Sequence, residues 1–202
     1  MQKYFKFILI SILLINSLSV LKAEEQVYRI LKLVNDQVIT NYDLEIRLQL
    51  FSFLNKQSLD ENNIGPYADE MLKLMIDEKL QLEQINKYKI QIKGEDVDSY
   101  IKRSFLTPNQ DINDFKNLLM SKGIDINILR ESIKIQLGWN RLAGKLFYRS
   151  AEVTKIDIDE AMKKNLSLSE DQIKDSLIQR QITLRAEKLI RDLRLESNIE
   201  TR

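Results

Sequence analysis

The stretch that decides the fold runs from Met71 to Ile101 and reads MLKLMIDEKLQLEQINKYKIQIKGEDVDSYI. Its periodicity predicts a long helix from Tyr67 to Tyr88, a strand-like link over Lys89–Lys93 and a second helix from Gly94 to Phe105. The purely polar strip on the long helix is narrow and consists of Lys73, Asp77, Gln81 and Gln84. Because a helix with so narrow a polar face is usually central to its domain, we expect this one to be largely buried.

The segment before this stretch predicts a small β element followed by a helix. Tyr28 to Thr40 contains two β-rich runs around an Asn-Asp pair that favours a turn, which indicates a hairpin or a bent strand. Thr40 and Asp43 have the spacing of a capping box and predict the start of a helix. Residues 55–66 are polar and end in a Gly-Pro pair, so they are predicted to form a loop.

The remaining sequence predicts further helices and a closing strand. Apolar spacing favours helices over Asp111–Ser121, Asp125–Tyr148 and Ser169–Leu195. An isolated two-stranded hairpin is only marginally stable, so we expect Ile30–Val34 to pair with Asn198–Thr201 at the other end of the chain. The predicted fold is mostly α, a multi-helix core with a small β element that joins the N- and C-terminal segments.

The composition excludes several classes of function. The chain has 31 basic and 30 acidic residues, no histidine and no cysteine. A nucleic-acid binder would show a basic excess, and histidine is the commonest general base and zinc ligand. The five glycines are scattered, so no phosphate-binding loop is predicted. We therefore expect no catalytic, cofactor or metal site and no small-molecule substrate. The acids Asp77, Glu78 and Glu83 are interpreted as solvated helix faces with local partners such as Lys73.

The N-terminus is typical of a secretion signal. Lys3 and Lys6 precede an apolar run from Phe7 to Ile15, and small and polar residues follow. The run is shorter than the roughly 20 residues that span a membrane. We expect residues 1–23 to be a removed signal, with cleavage after Ala23 or after Ser19, and a retained inner-membrane anchor is the alternative.

Several segments together resemble the N-terminal domain family of the SurA-type periplasmic chaperones and their trigger-factor-like relatives. The resemblance covers residues 27–164 well and 169–201 moderately. The matching segments are Val38–Leu44 ("VITxxDL"), Met75–Leu80 ("LIDEKL"), Lys89–Lys93, Glu95–Asp98, Lys122–Gln136 and Val153–Lys164. It implies a helical module over 24–150, a linker over 151–168 where larger relatives carry parvulin prolyl isomerase domains, and a C-terminal helix and strand over 169–202 that complete the core.

The resemblance implies an ATP-independent periplasmic chaperone that holds unfolded outer-membrane protein precursors. Two alternatives stay open: an envelope scaffold or adaptor for one folded partner, and a degenerate parvulin-type isomerase, which the absence of histidine disfavours. No nucleic-acid partner is expected, and membrane contact only if the N-terminus is retained. The candidate substrate-binding residues are aromatic, although core packing explains each one better singly. They are Phe51, Phe53, Tyr67, Phe105, Phe115, Trp139 and Phe147.

Overall fold

The structure, a computed structural model, describes residues 28–164 and 167–202. The expected signal over residues 1–23 lies outside the described residues. The elements in chain order are β1 (Ile30–Val34), β2 (Gln37–Thr40), α1 (Asn41–Asn55), α2 (Ile64–Lys87), α3 (Gly94–Phe105), α4 (Ile112–Met120), α5 (Ile126–Phe147), α6 (Lys155–Lys164), α7 (Glu170–Glu196) and β3 (Ile199–Thr201). The expected mostly α fold with a small β element is confirmed.

The two ends of the described chain meet in a three-stranded antiparallel sheet of order β2-β1-β3. β1 and β2 form the predicted hairpin. On the other side of β1, Lys32 is paired with Thr201 and Val34 with Ile199. The predicted pairing of the first strand with the last is therefore confirmed.

The hairpin leads into α1 through the predicted cap. Thr40 is extended, and its hydroxyl oxygen accepts a hydrogen bond from the Asp43 N–H at 3.1 Å. The Asp43 carboxylate accepts one in return from the Thr40 N–H at 2.8 Å. This reciprocal pair satisfies two backbone donors that would otherwise lack partners, which is why the helix begins at Asn41.

The prediction for the start of α2 is wrong by one turn. α2 begins at Ile64, so Gly65 and Pro66 belong to its first turn and the preceding loop is shorter than residues 55–66. Proline is tolerated there because the first N–H groups of a helix have no partner within the helix. The expectation that this helix is central is confirmed, since α2 contacts α1, α5, α7, β1 and β2.

The helices enclose two clusters of buried apolar residues, and α5 contributes to both. The first core lies between the sheet, α2, α5 and α7, and includes Leu80 and Leu142. The second core lies between α1, α3, α4 and α5, and includes Ile101 and Leu119. α5 thus connects the two halves of the molecule, with its first half in the second core and its last half in the first.

The interpretation of the α2 acids as solvated faces is wrong. Asp77 accepts two hydrogen bonds from Arg194 of α7, one of them from Nε at 2.5 Å, and this carboxylate raises the pKa of the Arg194 guanidinium. Glu83 accepts hydrogen bonds from the side-chain amides of Asn35 and Gln37. These acids therefore attach α2 to the hairpin and to α7, through partners distant in the sequence.

The segment that the sequence assigns to a linker contains a helix. α6 lies within residues 151–168 and contacts α7, with Ile158 buried. Its first turn is capped by Thr154, whose hydroxyl and backbone N–H both donate to the Asp157 carboxylate and lower its pKa from 3.8. The division of the chain into module, linker and closing segment stays a prediction.

Candidate functional site

A cleft between α2 and α5 is the main concave feature on which we build a candidate site. Its wide section has a volume of about 470 Å³ and its narrow section about 190 Å³. The wide section is lined by Leu82, Ile85, Asn86, Ile90, Gln91, Ile92, Glu131, Lys134 and Ile135. The narrow section is lined by Ile39, Tyr42, Asp43, Ile46, Arg47, Met75, Glu78, Lys79, Leu82, Ile128, Glu131, Ser132 and Ile135. Leu82, Glu131 and Ile135 line both sections, so we describe them as one α2–α5 cleft.

The wide section owes its shape to the end of α2 and the link that follows. Lys89 has a positive φ of 52° less one degree, at 51°, and reverses the chain so that the link runs beside the cleft. The N–H of Ile90 then donates to the carbonyl of Ile85 at 3.0 Å, which caps the helix end. Arg141 of α5 donates to the carbonyl of Gln91 at 2.6 Å and holds the link against α5.

A glycine sets how closely the two walls of the cleft approach at one end. A Cβ atom on Gly138 of α5 would lie 2.9 Å from Cδ1 of Ile85. Real side chains do not tolerate that separation, so glycine permits the close crossing of α2 and α5. Ile85 is consequently fixed between the first core and the wide section.

The floor of the narrow section carries an ion pair. Arg47 of α1 donates through Nη2 to Oε1 of Glu78 on α2, and the two side chains are 10% and 16% exposed. Ser132 of α5 donates to the same Oε1 at 2.8 Å. Three helices therefore meet at one carboxylate oxygen, surrounded by the apolar side chains of the section. Such a pair is costly to break by removing one partner, because the other charge is left buried.

The predicted aromatic residues lie in other places. Phe115 and Trp139 are buried, and the other five are partly exposed. Three of the rings meet in the second core, where the Phe115 centroid is 6.2 Å from that of Phe53 and 6.5 Å from that of Phe105. Phe51 and Tyr67 form a pair at 5.3 Å, while Trp139 and Phe147 belong to the first core. Their role in binding polypeptide stays a prediction.

Among the described residues, none of those seven aromatics lines either section of the cleft, whose one ring is Tyr42. The sequence did carry a signal for the ion pair. Glu78 stands in the Met75–Leu80 motif, and Arg47 is a charge on the face of α1 that carries Leu44, Leu48 and Phe51. A charge on an apolar stripe asks for a buried partner, which in this case comes from α2.

Two searches of the described part of the chain bear on other kinds of site. No group of three or more acidic residues is arranged so that it could hold a metal ion within residues 28–164 and 167–202. In the same residues, no helix has the length and apolar character needed to cross a membrane. The expectations of no metal and no cofactor stay predictions.

Comparison with known proteins connects this helical fold with one class of protein. No family model matches the chain. The chain is 27% identical over 139 residues to "Chaperone SurA" of Saccharophagus degradans. The matched region covers 67% of this chain and 32% of that protein, so the chain spans about a third of the length of its relative. This supports a distant SurA-like relationship.

Proposed function

We propose that the protein is an ATP-independent chaperone of the periplasm that holds unfolded polypeptides in the α2–α5 cleft. The observation that carries the proposal is an apolar cleft, lined largely by isoleucine and leucine, on a fold whose sequence is similar to "Chaperone SurA". Clefts with apolar walls and a few polar groups are the usual binding sites of proteins. The export of the protein rests on the N-terminal sequence.

The proposed clients are outer-membrane β-barrel precursors. Strands of such barrels alternate apolar and polar residues and have no partners until the barrel closes. Unpaired strand edges associate with one another, which leads to aggregation. A cleft with two connected sections takes a few apolar side chains of such a strand, and binding of this size is weak enough for release without an energy source.

Two members of the predicted aromatic set are proposed as secondary contacts for a bound client. Phe51 and Tyr67 lie on α1 and α2, the helices that also form walls of the narrow section, and both are partly exposed. Aromatic side chains contribute large contact areas. Phe115 and Trp139 are better explained as core residues because they are buried.

We further propose that the protein has no prolyl isomerase activity, because its sequence has no histidine and α7 follows shortly after α6. A proline-containing reporter peptide tests this. Isomerisation above the uncatalysed rate, abolished by substitution of one residue of this chain, would contradict the proposal.

The range of clients distinguishes a chaperone from an adaptor. The purified protein should suppress the aggregation of several unrelated barrel proteins after their dilution from urea, as followed by light scattering. An envelope adaptor would bind one folded partner and leave all of these aggregation curves unchanged, and that result would overturn the chaperone proposal.

A further inference from the structure

We propose that the Arg47–Glu78 pair holds the main chain of a polypeptide bound in the α2–α5 cleft, with Arg47 donating to a peptide carbonyl and Glu78 accepting from a peptide N–H. The inference rests on the proposed function, since it assigns a polar anchor to the same cleft. It adds a means by which the site binds polypeptides regardless of their sequence.

The first observation is the set of donors that Arg47 leaves unused. A guanidinium carries five N–H donors, and within the described residues Arg47 makes one hydrogen bond, from Nη2 to Glu78. The residue is only 9% exposed and lines the narrow section of the cleft. No polar side-chain atom in the described structure is both fully buried and without a partner. The Nε and Nη1 atoms of Arg47 therefore keep some access to solvent while they lack a partner in this part of the chain.

The second observation is an unused acceptor beside those donors. Oε1 of Glu78 accepts from both Arg47 and Ser132. No described residue donates to Oε2 of Glu78, which belongs to the same lining. The pair consequently offers donors and an acceptor to one occupant. Each peptide unit carries one C=O acceptor and one N–H donor, which is the complementary set.

The charges of the narrow section favour a neutral occupant. Its lining includes two cationic residues, Arg47 and Lys79, and three acidic residues, Asp43, Glu78 and Glu131. A free carboxylate or phosphate would meet this acidic excess and be repelled. An uncharged peptide group meets no such penalty, and the surrounding Ile39, Ile46 and Ile128 exclude water and so strengthen its hydrogen bonds.

The test uses a labelled, N-acetylated and C-amidated heptapeptide in which isoleucine alternates with serine. A series of variants replaces one carbonyl oxygen at a time by sulfur, which is a weaker hydrogen-bond acceptor. With the wild-type protein, one position of the series should weaken binding roughly tenfold, the effect of losing a hydrogen bond to a charged donor.

The protein variants assign that effect to the pair. In R47M/E78M the sensitivity at that position should disappear, and the paired substitution avoids an unpaired buried charge. The matched control is R130M/D98M, which removes an ion pair between α3 and α5 that does not line the cleft and should keep the full sensitivity. A measurement on the wild-type protein supports this without any variant: the Nε–H resonance of Arg47 should shift on peptide addition, while that of Arg130 stays.

The outcomes separate this inference from the proposed function. A peptide that binds wild-type protein without any sensitive position, or with one that persists in R47M/E78M, overturns the main-chain role and leaves the chaperone proposal intact. An unmoved Arg47 resonance at saturating peptide overturns it as well. Failure to bind both the peptide and unfolded barrel proteins overturns the proposed function itself.

Discussion

Asn35 connects three parts of the molecule that are far apart in the sequence. Its φ of 52° places it in the left-handed region, which asparagine tolerates better than most residues. Its side-chain amide donates to Glu83 of α2, and its Oδ1 accepts from the N–H of Asn198 at 3.0 Å. The turn of the hairpin, the central helix and the start of the last strand are thus held by one side chain.

We expect Asn35→Gly to lower the free energy of unfolding by about 2 kcal/mol, because glycine keeps the backbone geometry but removes these hydrogen bonds. Urea denaturation measures the change. The control is Lys56→Gly, at a left-handed position that caps α1 through its backbone N–H. Its stability should change little, and equal losses in both variants would contradict the role given to the Asn35 side chain.

Glu78 illustrates the difference between a buried and an exposed ion pair. We expect Glu78→Ala to cost about 3–5 kcal/mol, since it leaves the Arg47 guanidinium buried without its partner. Asp192→Ala removes the partner of Lys188 in an exposed pair one turn apart on α7, and should cost less than about 0.5 kcal/mol. Thermal unfolding of both variants gives the comparison, and similar losses would refute the distinction.

At the scale of elements, the first turn of α6 should depend on pH. The Thr154 hydroxyl and N–H hold the pKa of the Asp157 carboxyl below 3.8. The folded pKa is thus lower than the unfolded one, so the cap stabilises the helix at pH values above about 3.8 and is lost as pH falls through the folded value.

Amide resonances of Thr154 and Asp157, followed by NMR from about pH 5 to about pH 2, report this loss. We expect the first turn of α6 to lose protection over that range while the centre of α2 does not. In Asp157→Ala the first turn should be weakly protected at every pH. An identical pH profile for the wild type and this variant would contradict the assignment.

Local patterns predicted most of the elements, because caps and periodicity act over a few residues. The Thr40 cap, the hairpin turn and the pairing of the end strands could all be read from the sequence. The start of α2 could not, since a Gly-Pro pair is compatible with both a loop and a first helical turn. The partners of Asp77 and Glu78 were also missed, because they lie 117 and 31 residues away and periodicity identifies a face without its neighbour. The cleft escaped prediction for the same reason.

At the scale of the whole molecule, the C-terminal segment should be necessary for stability. Ile173, Ile182 and Ile190 of α7 are buried, and burial of three such side chains contributes about 6 kcal/mol gross at about 2 kcal/mol each. That is comparable with the net stability of a typical domain. A protein ending at Lys164 should therefore melt at a much lower temperature or be insoluble. Cooperative unfolding at the temperature of the full chain would show that α7 and β3 are dispensable.

The central claim is that the α2–α5 cleft holds unfolded polypeptide, and the most direct measurement compares cleft and surface variants in suppression of barrel-protein aggregation. L82S/I135S replaces two apolar residues shared by both sections of the cleft. The control, I156S/L195S, replaces apolar residues outside it that are 71% and 86% exposed. With both variants folded by circular dichroism, we expect suppression to fall several-fold in L82S/I135S and to stay at the wild-type level in I156S/L195S. Full suppression by L82S/I135S would contradict the account.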